Sequence, residues 1–119
     1  MNMRALLGEL KYLDEVESKR QTYYVFEGRK NFVLMTFSRN KVGAGNFTVV
    51  DKAAVEYVAS RFAGKQGITS NDIVQASRKP QYIRSALDAL NIVYAMIATR
   101  RAKIDGRYKG KQLRFNVRE

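Results

Sequence analysis

Residues 69–90 run TSNDIVQASRKPQYIRSALDAL, and no other segment constrains the architecture of the chain as strongly. Thr69 is followed three residues later by Asp72, the spacing at which two side chains bond each other's backbone amides and open a helix. Lys79-Pro80 then interrupts helical geometry, because proline lacks an amide hydrogen and pushes the residue before it toward extended conformations. Pro80 itself suits the first turn of a new helix. From there Ile83, Ala86, Leu87 and Leu90 recur at offsets of three, four and seven, which predicts an amphipathic helix starting at Pro80. Its opposite face would offer Lys79, Gln81, Tyr82, Arg84, Ser85 and Asp88 to solvent. The following run, NIVYAMIA at 91–98, is nearly all apolar. Val93, Tyr94 and Ile97 stay in helical phase, so the spacing is compatible with an end near Asn91 or one toward Thr99.

Downstream, residues 98–117 read ATRRAKIDGRYKGKQLRFNV, with cations on both sides of Asp105-Gly106, a dipeptide favoured in tight hairpin turns. Upstream, Asp51 can cap a helix whose apolar stripe is Val55, Val58, Ala59 and Phe62, with Gly64 and Gly67 marking its end. Taken with these flanks, the stretch resembles a winged helix-turn-helix DNA-binding domain, and the likeness spans a little over half the chain. The resemblance implies that the helix from Pro80 is a recognition helix lying in the major groove. It also implies that the basic hairpin is a wing on the DNA backbone and that Ile68 is the short strand pairing with it. On that footing Arg84 pairs with guanine O6 and N7 and Gln81 with adenine, each pair worth about 1–3 kcal/mol of base discrimination. Tyr82 and Ser85 contact phosphate or a thymine methyl, and Lys79 the backbone. Arg100, Arg101, Lys103, Arg107, Lys109, Lys111 and Arg114 lie along phosphates. The sequence departs from the family at 91–98, where many winged helices place a glycine or a charged break before the wing.

The chain has 119 residues, enough for one compact domain with its own core, and 45% of them are apolar. Twenty-two Lys and Arg against 11 acids leave a formal charge of +11, an imbalance that favours a polyanionic partner, nucleic acid foremost. There is no cysteine and no histidine. Disulfides, zinc fingers, thiolate or imidazole metal sites and Cys- or His-dependent nucleophilic catalysis are thereby excluded. Glu9-Leu10-Lys11 with Asp14 has the form of an acid-x-Lys nuclease pair, but it falls on a predicted helix, and Glu27 alone offers a partnering acid on an adjacent strand for metal-dependent cleavage. Gly43-Ala44-Gly45 lacks the Lys-Ser/Thr of a nucleotide-binding loop. The expectation is a protein that is not an enzyme and has no cofactor. Acids interrupt the N-terminus early and no apolar run is long enough for a span, so the expected location is cytoplasmic.

Residues 1–16 place Met3, Leu6, Leu7, Leu10, Leu13 and Val16 on one helical face, which predicts an N-terminal amphipathic helix. Residues 1–17 hold two basic and four acidic side chains, against eight and two in 98–119, so this helix suits scaffolding better than DNA contact. It would pack on its own domain, or form a homodimer seam through Met3, Leu6, Leu10 and Leu13. Residues 22–26, 31–38 and 46–50 are rich in aromatic and β-branched types and predict a three-stranded antiparallel meander. Tyr23, Tyr24, Phe26, Phe32 and Phe37 are of the type that stacks on unpaired bases, although such residues in strands are more often core. Arg39 and Lys41, in a glycine-containing loop, are possible contacts to a nucleic-acid backbone.

The expected fold is therefore α+β. An N-terminal helix and a three-stranded antiparallel meander (1–50) serve as a packing or dimerisation element, followed by a winged helix-turn-helix unit (51–119). The expected function is double-stranded DNA binding, as a sequence-selective transcriptional regulator. The alternative is a non-specific nucleic-acid-binding protein, architectural or RNA-associated, or an accessory subunit of a phage, defence or DNA-processing system.

Overall fold

The structure, a computed structural model, describes residues 10–18, 21–37, 45–107 and 112–119. Four strands come first: β1 Lys11–Glu17, β2 Thr22–Glu27, β3 Asn31–Phe37 and β4 Gly45–Asp51. They pair antiparallel in sequence order as one sheet. Three helices follow, α1 Lys52–Arg61, α2 Ser70–Ala76 and α3 Ala86–Ala98, and then a two-stranded ribbon of β5 Ala102–Ile104 and β6 Phe115–Val117.

Two expectations are corrected here. The segment 11–16 is not helical: it forms β1, so the predicted meander of three strands is a sheet of four. The cause is a register shift between Tyr12 and Asp14, which leaves Leu13 as an extra residue opposite β2. A bulge lets residues three apart share one face of a strand. Leu13 and Val16 therefore both pack on the core, and their spacing imitates a helical stripe. Leu13 packs partly buried against its own core and Leu10 is half-buried, while Met3 and Leu6 lie outside the described residues.

The second correction concerns the helix expected from Pro80. Residues 80–85 form turns instead: the amides of Tyr82 and Ile83 donate to Lys79 O at 2.9 and 3.2 Å. The helix starts only at Ala86, where the Ser85 side chain accepts from Asp88 N and Asp88 Oδ2 accepts from Arg84 N at 3.0 Å. Ser85 and Asp88 repeat the spacing of Thr69 and Asp72, which form a complete capping box at the start of α2. Beyond Ala86 the helix runs unbroken through the apolar stretch to Ala98, so the open question of its end resolves toward Thr99.

The core lies on one side of the sheet. Val16, Val25, Phe32, Leu34 and Val50 face α1 and α3, and they join one cluster with Val55, Val58, Ile73, Ile92, Tyr94, Met96, Phe115 and Val117. α3 is the centre of this cluster: Asn91 through Met96 are all buried. The Tyr94 ring rests 4.3 Å from that of Tyr23. Burial, with Tyr23 beside it, pushes the Tyr94 hydroxyl up to about 12 against the pull of a hydrogen bond with Ser18. Strand alternation sends Tyr24, Phe26, Val33, Met35, Phe37, Phe47 and Val49 to the opposite face. No described helix covers that face, and Phe37 and Phe47 are exposed there.

No linker separates the two halves of the chain, since Asp51 ends β4 and its carboxylate accepts from Ala53 N at 2.9 Å to cap α1. The ribbon is tied back to the helices by Ile68, whose N–H and C=O bond Phe115 at 3.0 and 2.8 Å. Ile73 is fully buried between these layers. Ile73→Ala should lower stability by about 2–4 kcal/mol, read as a fall in urea midpoint at constant m. Thr69→Ala, which removes one side of the capping box, should lower it by only about 1 kcal/mol.

Candidate nucleic-acid interface

Two surfaces gather cations. The first is the connector between α2 and α3, which occupies the place expected for the start of a recognition helix. It is held down by α1: Tyr57 Oη accepts from Arg78 N at 2.8 Å, and the Tyr57 and Tyr82 rings lie 6.0 Å apart. Arg61 Nε donates to Ala76 O at 2.6 Å. That donated amide, then the Ser77 hydrogen bond and the nearby Arg61 and Lys79 charges, draw the Tyr57 hydroxyl below its ordinary value against the effect of burial. Lys79, Gln81, Arg84 and Ser85 are exposed, while Tyr82 is half-buried against Tyr57. Ser85 is engaged as the helix cap. Among the described residues no carboxylate stands within ion-pair distance of Arg78, Lys79 or Arg84.

The second surface is the ribbon. β5 and β6 pair through Ile104 and Phe115, so the connection spans 105–114 and Asp105-Gly106 is not a two-residue turn. Asp105 instead anchors the base of the loop. It is buried, and its carboxylate accepts from Arg107 N at 3.0 Å, Nε at 2.9 Å and Nη2 at 2.6 Å. These bonds from Arg107, aided by Asn116, hold the Asp105 carboxyl far below the usual carboxylate range. Beside the ribbon runs an open groove of about 1000 Å³, lined by Gly64, Arg100, Lys103, Arg107 and Arg118 together with the acids Asp105 and Glu119.

The expected contact residues thus divide. Arg100 and Lys103 are exposed on the groove, and Arg107 lines it while bound to Asp105. Arg101 and Arg114 have structural tasks. Arg101 grips Glu56 of α1 with both terminal nitrogens, the second at 2.9 Å. That bond lowers the Glu56 pKa and raises that of Arg101. Arg114 donates to Gly67 O at 2.9 Å and fastens the ribbon to the α1–α2 loop. Lys109, Lys111, Arg39 and Lys41 lie outside the described residues. Arg118 was missed, although a signal was present: Phe115 and Val117 alternate with Asn116 and Arg118, the period of a half-buried strand.

Of the five aromatics considered for base stacking, Tyr23 and Phe32 face the core, and Phe32 carries Lys52 Nζ 5.4 Å above its ring. Tyr24, Phe26 and Phe37 are on the open face, in edge-to-face pairs of Tyr12 with Phe26 (5.5 Å) and Tyr24 with Phe37 (5.8 Å). The adjoining edge strand carries Asp14, Glu15 and Glu17 against Lys11, a poor match to a polyanion.

Among the described residues no three metal-ligating side chains come together, and no helix is long and apolar enough to cross a membrane. No family model matches the chain, and comparison with curated proteins and with solved structures likewise finds no significant similarity.

Because the folded state depresses the Asp105 pKa, this carboxylate stabilises the protein fully above the ordinary aspartate value. The contribution is lost as pH falls through the lower, folded value. Asp105→Asn should reduce Tm at neutral pH and flatten the decline of Tm below about pH 4, followed by circular dichroism.

Proposed function

We propose that the protein binds double-stranded nucleic acid, principally through the sugar-phosphate backbone. The observation carrying this reading is the gathering of Arg100, Lys103, Arg107 and Arg118 around one open groove in a chain of net charge +11. The connector cations Arg78, Lys79 and Arg84 extend the positive surface. Backbone contact is favoured over groove reading because the body of α3 is covered on both sides: a helix whose Asn91–Met96 segment is buried has no free face to lay along base edges. The order α1, Ile68, α2, α3, β5, β6, with Ile68 bonded to Phe115, supports kinship in architecture with winged helix-turn-helix domains. In such an arrangement the ribbon would serve as the wing.

A second reading, a sequence-selective transcriptional regulator, is favoured by one feature. Gln81 and Arg84, the side-chain types that pair with adenine and guanine, stand exposed immediately ahead of α3. Of α3 and its approach, the described residues open to a base edge are those of this connector and of the first turn.

Binding to random duplex across a salt series separates the two. Backbone contact gives a log–log slope of about −0.9 per phosphate engaged and little preference among sequences. Under the first reading Lys79→Ala and Arg84→Ala each weaken binding on every sequence and make the slope shallower by about 0.9. Enrichment of a motif from a random pool, lost in Arg84→Ala, would favour the regulator instead. Indifference to all polynucleotides at low ionic strength would end both.

A further inference from the structure

Among the described residues, Arg100 is the one non-glycine with a positive φ, at 66°. It sits just past α3, where its own N–H donates to Ile97 O at 3.1 Å and the Arg101 N–H to Met96 O at 2.7 Å. This pair of bonds closes a helix through a left-handed residue that is usually glycine, because a Cβ there crowds the backbone. Arginine at this position therefore lowers stability relative to glycine. The side chain returns little to the fold. It is 81% exposed, and the nearest carboxylate, Asp14 Oδ2, is 3.8 Å from Nη2, an exposed pair of minor strength.

What the side chain has is position. It lines the groove beside the ribbon, and Arg118 Nη1 reaches toward the Arg100 carbonyl at 3.5 Å, which brings a second guanidinium to the same rim. An unfavourable backbone conformation that carries an exposed cation into a cationic groove is the pattern expected of a binding residue rather than of a structural one.

We propose that the groove is a phosphodiester-binding site and that Arg100 is its principal contact, a guanidinium able to hold two phosphate oxygens at once. The inference rests on the nucleic-acid reading above and adds where the strand lies and which residue holds it. The ligand class is the backbone of a polynucleotide, with no base identity implied.

The test compares wild type, Arg100→Gly and Arg100→Lys in thermal unfolding and in fluorescence anisotropy with a short labelled duplex of mixed sequence, over a salt series. Arg100→Gly should raise Tm by roughly 2–5 °C. It should also weaken binding roughly tenfold at low salt and make the salt slope shallower by about 0.9. Arg100→Lys, which keeps the charge and the strained backbone but not the two-pronged donor, should keep the wild-type salt slope, bind more weakly than wild type but more tightly than the glycine variant, and show no gain in Tm. A glycine variant that binds as tightly as wild type overturns the groove assignment and leaves the nucleic-acid reading standing. A glycine variant no more stable than wild type overturns the argument from strain. Wild-type protein that fails to bind the duplex at low salt overturns the nucleic-acid reading itself.

Discussion

The burial of α3 between the sheet and the other two helices is the constraint on which the remaining structure depends. Ile92, Val93, Tyr94, Ala95 and Met96 are consecutive and all buried, so every side of the helix is apolar over this length. A helix that is hydrophobic all round must be enclosed, and each large side chain so enclosed contributes about 1.5–3 kcal/mol. α1 and α2 cover only part of such a surface. The inner face of the four-stranded sheet covers the rest, which ties the N-terminal strands to the helical segment as one hydrophobic unit.

That same enclosure shapes what the surface can do. A helix sealed over Asn91–Met96 leaves the exposed polar groups next to it in the connector before Ala86 and in the chain that leaves at Arg100. Six of the eleven acids, meanwhile, are taken up by the fold. Asp51, Asp72 and Asp88 accept from helix-start amides, and Glu27, Glu56 and Asp105 pair with Lys52, Arg101 and Arg107. With half as many acids as bases, an excess of cation remains on the surface after these pairings. Self-repulsion of this kind opposes compaction and is relieved by a polyanion. The described cations Arg78, Lys79 and Arg84 stand at one end of α3 and Arg100 and Lys103 at the other, not along its side.

Local chemistry was legible in the residues. The capping box of Thr69 and Asp72, the cap at Asp51 and the strand character of β2 to β4 all follow from spacing and residue type, because each depends on atoms a few bonds apart or on simple alternation, whereas the pairing of Ile68 with the final strand came only as an implication of the resemblance. Gln81 and Arg84 are exposed as expected, but in turns and not on the helix face from which that expectation came. The N-terminal helix and the helix from Pro80 were misread for opposite causes. In β1 a bulge gave a strand the spacing of a helix. Before α3, turn bonds to Lys79 and the Ser85–Asp88 cap outweighed an apolar stripe that began too early.

Composition and short-range spacing were enough to establish an α+β chain, an overwhelming positive charge, the absence of cysteine and histidine chemistry, and the helix starts at Asp51 and Thr69. They could not establish which faces are covered, because hydrophobic periodicity reports that a residue is buried without reporting against what. Only tertiary packing decided that the sheet closes over α3, that Arg101 and Arg114 fasten elements together while Arg100 stays exposed, and that Arg118 joins Arg100 at a common groove. These outcomes depend on contacts between residues far apart in the chain, and the free energy of such contacts is fixed by geometry that no local pattern encodes.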